Sequence, residues 1–145
     1  MTVHFICDGN IYRSRLAQCY FNSKKPKGLK CFSSGTIAGN DLKGPISWLA
    51  QRIITKNKLS PYMSFMFQKT SKDLLKRADY TIFMDTNIYE FCKKNFGFNP
   101  KNYEIWHIED TNKFDSDLVK IKATEETFEK IKKKVDYLII KLQKS

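Results

Sequence analysis

The order of the apolar stretches constrains this chain more than any other feature, because short strand-like runs alternate with segments of helical spacing from end to end. Val3 to Cys7 suits a buried strand, and Ser14 to about Ser23 follows with helix-compatible composition until Pro26 and Gly28 end the unit. Leu29 to Ser33 reads as a second strand. Pro45 is expected to open a helix in which Ile46, Leu49, Ala50 and Ile53 recur at helical spacing. Lys56 to Lys69, with Pro61 and a cluster of Met63, Phe65, Met66 and Phe67, fits no single period and is expected to be a structured loop. Thr70 and Asp73 resemble a capping pair for a short helix. Tyr80 to Met84 supplies a third strand, Asp85 or Thr86 caps another helix, and Gly97 ends it. Tyr103 to Ile108 predicts a fourth strand and Glu109 to Asp117 a polar loop. From Thr124 onward Phe128, Ile131, Val135, Leu138, Ile139 and Leu142 form one apolar stripe, with Glu125 and Glu126 in the first turn and lysines toward the end, which suits the helix dipole.

Strands alternating with helices define the α/β class: one open, parallel four-stranded sheet with helices on both faces. At 145 residues the chain has the length of one domain, 1–145, since a second would leave both too small to enclose a core. In such sheets ligands bind beyond the carboxyl ends of the strands, near the point where strand order reverses. The first strand ends at Cys7.

Composition narrows the class of function. The start, MTVHFICDGN, lacks a basic lead followed by a sustained apolar run, and no segment reaches the length of a membrane span, so a cytoplasmic protein is expected. Cys7, Cys19, Cys31 and Cys92 show no CxxC or paired spacing, which argues for reduced thiols and against a disulfide framework or a zinc site. His4 and His107, both expected in strands, are the only histidines and cannot form a metal cluster, so no metal or cofactor is expected. The net charge of +11 is carried by lysine, with Arg13, Arg15, Arg52 and Arg77 the only arginines. It favours acidic surfaces non-specifically without indicating a dedicated nucleic-acid or membrane partner.

The segment CDGNIYRS, Cys7 to Ser14, places a cysteine and an arginine six positions apart between a strand end and a helix start. Cys-x5-Arg alone is a weak signal, with about a one in ten chance of arising by accident in a chain of this composition. Its location strengthens it. Gly9 and Asn10 can turn successive NH groups inward, and the following helix aims its own free NH groups at the same point. Arg13 adds a planar, permanently charged fork matched to two phosphate oxygens, and the same field favours a Cys7 thiolate. Such a thiolate can attack phosphorus to give a cysteinyl-phosphate that water then hydrolyses.

These residues resemble the low-molecular-weight protein tyrosine phosphatases, whose signature is a strand followed by C-x-G-N-x-C-R-S; Cys7, Gly9, Asn10, Arg13 and Ser14 match it. SSGT at Ser33 to Thr36 is similar to the family's SAGT, and RADYTIFMDTN from Arg77 to Asn87 to its central strand and turn. The resemblance implies Cys7 as nucleophile, Arg13 as phosphate clamp, and Asp110, from the loop after the fourth strand, as general acid, with Glu109, Asp115 and Asp117 as competitors. It implies a substrate-binding loop of Asp8, Gly9, Asn10, Ile11, Tyr12 and Ser14, with a Ser14 hydrogen bond to the Cys7 thiolate and bracing by Asn10 and Ser33. The substrate would be a phosphotyrosine-containing protein or small aryl phosphate. The sequence departs from the pattern at Asp8, at Tyr12 in place of a second cysteine, at Arg15 and Thr111 in place of prolines, and in the HxARQ-like stretch, where Ser64, Met66 and Phe67 stand. Tyr12, Trp48, Tyr62 and Phe114 are the candidate aromatics at the mouth. Rival readings are a thiol-based arsenate reductase, a phosphocarrier, or a weakly active module that binds phosphorylated or polyanionic partners.

Overall fold

The computed structural model describes residues 1–40, 44–110 and 116–144. The elements are β1 (Thr2–Cys7), α1 (Arg13–Ser23), β2 (Lys30–Gly35), α2 (Trp48–Lys56), α3 (Lys72–Arg77), β3 (Tyr80–Phe83), α4 (Thr86–Phe96), β4 (Tyr103–Ile105) and α5 (Asp117–Gln143), with a single 3-10 turn at Ser60–Tyr62. The four strands form one parallel sheet in the order β2-β1-β3-β4. Successive connections step left from β1 to β2 and right from β3 to β4, so right-handed crossovers set α1 and α4 on opposite faces. Strand order reverses around β1, and β1 delivers Cys7 to the carboxyl edge of the sheet beside that reversal.

Every residue of β3 and all of β1 but Thr2 are buried, and apolar side chains predominate in both, as burial on two faces requires. Phe5 is fully buried and meets Phe21 of α1 edge-on at 5.9 Å and Trp106 at 5.6 Å. The α5 stripe of Phe128, Ile131, Val135, Leu138, Ile139 and Leu142 is buried, packing this helix on α1 and α2. His4 stacks on Phe32 at 4.2 Å and meets the Ser34 hydroxyl at 2.6 Å through Nε2, and burial pushes its pKa down to about 3.

Several boundaries differ from those expected. α2 starts at Trp48, capped by the Ser47 hydroxyl on the Leu49 NH, so Pro45 lies outside the helix. Ser71, not Thr70, caps α3, while Asp85 caps α4 through Ile88 NH. β4 ends at Ile105, and His107 lies beyond it at φ 54°, which turns the chain out of the extended conformation. α5 begins seven residues earlier than its apolar stripe suggests, because the Ser116 hydroxyl caps it at Val119 NH.

Candidate active site

The loop between β1 and α1 is shaped by a close approach of two backbones. A Cβ on Gly35, at the end of β2, would lie 2.6 Å from Asn10 N and 2.8 Å from Gly9 C, and would strike the Asp8 carbonyl. Only glycine lets the loop settle there, where Thr36 N donates to Cys7 O at 3.0 Å and Ile37 N to Asp8 O at 2.9 Å. The turn then needs a positive φ at Asn10, 57°, a conformation asparagine tolerates better than most residues.

Asn10 is buried and fully engaged. Its Nδ2 donates to Ser14 Oγ at 2.7 Å and Ser33 Oγ at 2.9 Å, and its Oδ1 accepts from Gln68 N at 2.9 Å. Gln68 Nε2 reaches Ser33 O at 2.9 Å, and Ser33 Oγ donates to Gln18 Oε1 at 2.5 Å. The Cys7 sulfur sits inside this bracing, 2.9 Å from Ser14 Oγ and 3.3 Å from the Asn10 N that donates to it. Asn10 uses the Ser14 oxygen as acceptor, which leaves the Ser14 proton able to be donated to the sulfur. Gly9 and Ile11 are half-buried along the loop, and Ile11 O accepts from Ser47 N at 2.8 Å.

The helix start adds donors. Side chains cap α2, α3, α4 and α5, whereas at the Tyr12 N-cap of α1 no side-chain hydrogen bond is made among the described residues. The first-turn NH groups of α1 are thus left to the loop, an anion-binding arrangement. Tyr12 does not line the mouth as an aromatic. It is buried, with its hydroxyl beside Thr124 and Thr127 of α5 but outside hydrogen-bond geometry, and burial raises its pKa.

Arg13 is 2% exposed and stands among carboxylates. Nη1 donates to Ile108 O at 2.7 Å and Asp85 Oδ2 at 3.0 Å; Nη2 donates to Asp8 Oδ2 at 3.1 Å and lies 3.7 Å from Asp110 Oδ2. Asp110 reaches it because Trp106 N bonds to Phe83 O and Ile108 N to Met84 O, so the chain after β4 follows β3 to its carboxyl end. Burial alone would lower the Arg13 pKa, but Cys7, Asp110 and Asp85 outweigh it and the net shift is upward. Asp8 is raised, first by burial and also by Asp85 and Asp110, against the opposing pull of Arg13. Among the described residues the cleft at this mouth is lined by Asp8, Asp85, Glu109 and Asp110, with Arg13 as the only lysine or arginine.

Thus Cys7, Asp8, Arg13, Ser14 and Asp110 meet at one place, and Asn10 and Ser33 lie directly beneath. Of the competitors, Glu109 shares the cleft, Asp117 begins α5, and Asp115 lies outside the described residues, as do Thr111 and Phe114. Trp48 is half exposed, and Tyr62 is partly buried beneath Lys25. Sequence reasoning gave Asp85 only a capping role and did not see Gln68 or Arg15 as supports. Asp85 was findable, since it follows a strand adjacent to β1 at the sheet's carboxyl edge. Among the described residues no cluster of three or more histidine, cysteine or acidic side chains is placed to hold a metal.

The fold and the loop define a class, the parallel α/β proteins with an anion-cradling turn between the first strand and the first helix. The profile of the low molecular weight phosphotyrosine protein phosphatases matches residues 2–145, and the chain belongs to that family. No curated protein matches it in sequence. Solved structures with the same fold include a low molecular weight protein tyrosine phosphatase from T. tengcongensis, 21% identical with a TM-score of 0.80 over 97% of this chain and 99% of that one. YwlE arginine phosphatase from Geobacillus stearothermophilus is 17% identical, TM-score 0.80, over 99% and 93%. Vibrio vulnificus Wzb in complex with benzylphosphonate is 15% identical, TM-score 0.81, over 97% of each chain.

Proposed function

We propose that the protein is a cysteine-dependent phosphoric monoester hydrolase acting on phosphotyrosine-containing proteins or small aryl phosphates. The observation that carries this reading is the convergence on one loop of the Cys7 sulfur, held at 2.9 Å from Ser14 Oγ, and the Arg13 fork, with Asp110 at 3.7 Å from that fork. In this mechanism the Cys7 thiolate attacks phosphorus in line with the leaving oxygen while Asp110 protonates the departing phenolate. Arg13 and the loop NH groups hold the equatorial oxygens through the transition state. Water activated by Asp110 then cleaves the cysteinyl-phosphate, and Ser14 stabilises the returning thiolate.

A second reading, phosphoarginine as substrate, is favoured by the four carboxylates lining the mouth, which suit a cationic leaving group. YwlE, which shares the fold, is described as an arginine phosphatase. The four free thiols, together with the absence of a helix long and apolar enough to cross a membrane among the described residues, support a reducing, cytoplasmic setting.

Turnover of p-nitrophenyl phosphate in chelator tests the reading. Activity is expected in the parent and none in Cys7→Ser; equal activity in that variant overturns the assignment. Asp110→Asn should slow esters of basic phenols more than those of acidic phenols, and equal losses across the series would transfer the acid role to another carboxylate. The ratio of phosphotyrosine to phosphoarginine turnover decides between the substrates.

A further inference from the structure

Among the described residues Arg15, in α1, is the largest of the fully buried side chains, at 2% exposure, and carries a guanidinium into the interior. Nη1 donates to Asn10 O at 3.2 Å and Pro45 O at 3.0 Å, and Nη2 donates to Ser64 O. These acceptors belong to three separate segments: the phosphate loop, the approach to α2, and the stretch after the 3-10 turn. All three are neutral. Among the described residues no carboxylate pairs with Arg15, and burial lowers its pKa. Arg13, by contrast, is within 4 Å of three carboxylates.

Burying a cation without a counter-ion costs several kcal/mol unless hydrogen bonds and nearby negative charge compensate. At Arg15 the carbonyls supply the hydrogen bonds, and the remaining charge is directed at the loop. We propose that Arg15 is the positioning residue of the phosphate loop, fixing the Asn10 peptide and placing beneath the loop a positive charge that no carboxylate among the described residues pairs, to favour an anion at the Cys7 sulfur and an incoming phosphate.

The geometric half follows from peptide planarity. In a trans peptide the C=O and the next N–H point in opposite directions, so holding the Asn10 carbonyl outward on Arg15 turns the Ile11 NH into the loop. The fork that binds Asn10 O also binds Pro45 O and Ser64 O, so the loop cannot rotate that peptide without releasing two neighbouring segments. A lysine could not serve all three acceptors in one plane. The electrostatic half follows from the pairing pattern: at the mouth Asp8, Asp85 and Asp110 lie within 4 Å of Arg13, whereas among the described residues no carboxylate pairs with Arg15, so its charge adds to the positive field beneath the loop.

This inference rests on the phosphatase reading above, and its test is separable from it. Cys7 alkylation is followed by mass spectrometry with iodoacetate, an anion, and iodoacetamide, which is neutral, in the presence and absence of inorganic phosphate. In Arg15→Met the iodoacetate-to-iodoacetamide rate ratio should fall by about fivefold or more, and protection by phosphate should weaken by about tenfold. Arg15→Lys should keep most of the rate ratio while losing about tenfold or more in kcat on p-nitrophenyl phosphate. A folded Arg15→Met with ratio and protection within about twofold of the parent overturns the proposal. If that variant fails to fold, Arg15→Lys decides: parent-like kcat overturns the positioning role, and a lowered kcat with a retained ratio sustains it. A parent that turns over no phosphate ester sinks the phosphatase reading, while the alkylation ratio still reports on Arg15.

Discussion

The floor and the mouth of the phosphate loop are built by opposite means. The floor, Asn10, Ser14, Ser33 and Gln68, is a web of neutral hydrogen bonds between 2.7 and 2.9 Å, with Arg15 as its one cation. The mouth is an arrangement of charges, Arg13 against Asp8, Asp85 and Asp110, with Asp8 and Asp110 each about a third or more exposed. Neutral, dry hydrogen bonds give fixed geometry and little response to salt. Charge pairs at a wet edge respond to both pH and ionic strength. The protein thus holds the Cys7 sulfur rigidly and leaves the groups that would meet a leaving group adjustable.

The largest effect should come from the cation at the centre of the mouth. Arg13→Lys keeps the charge but loses the planar fork, and the rate is expected to fall by about two to three orders of magnitude. Steady-state kinetics within about twofold of the parent would mean that charge alone, as at the mouth, is sufficient.

A purely geometric change to the floor should come next. Gly35→Ala adds one methyl group where Asp8 O, Asn10 N and Gly9 C already crowd, so the loop backbone must move. A displacement of about 1 Å costs up to about 100-fold in rate. That loss should be the same at low and high salt, because no charge has changed. A loss that varied strongly with salt would show that floor and mouth are not separable.

The sequence made the sheet legible because its central strands β1 and β3 are buried on both faces and are rich in apolar residues, and because one residue type, Asn10, both matched the loop pattern and suited its φ. The boundaries it missed have local causes. The start of α5 was hidden because its first turns lack the apolar period, with Leu118 81% and Val119 49% exposed, so only the Ser116 cap marks it. The end of β4 was hidden because a positive φ at His107 leaves no trace in a strand-like run. Within the site, residues contiguous with Cys7 were readable. Gln68 and the more distant acceptors of Arg15, Pro45 and Ser64, were not, since they reach the loop through tertiary pairings 30 to 58 residues away in sequence, and Asp85, 72 residues from Arg13, could be placed only through its strand's position beside β1. Arg15 stood out only as a departure from the family's proline, and its role depends on carbonyls, which any residue supplies.

The smallest effect should come from the mouth carboxylate that the family pattern does not contain. Asp8 holds Arg13 Nη2 at 3.1 Å, an NH edge that a phosphate oxygen would also use, so under the proposed function the ionised carboxylate would compete with substrate for Arg13. Burial, together with Asp85 and Asp110, raises the Asp8 pKa above the usual carboxylate range, against the attraction of Arg13. A raised carboxylate takes up its proton earlier on acidification, and that releases the guanidinium edge. The contribution of neutral Asp8 to the folded state is likewise lost as pH rises through its folded pKa, so Asp8→Asn should be slightly more stable than the parent above that point and not below it. For binding, Asp8→Asn should tighten competitive inhibition by inorganic phosphate about three- to tenfold near neutral pH and at low salt. The parent-to-variant ratio of inhibition constants removes the titration of phosphate itself, and it should approach one as pH falls through the Asp8 ionisation. High salt should shrink the same ratio, since Asp8 is 43% exposed and its field is screened. A ratio independent of both pH and salt would show that Asp8 acts through the loop backbone, as the floor does, and would erase the distinction between the two regions at this residue.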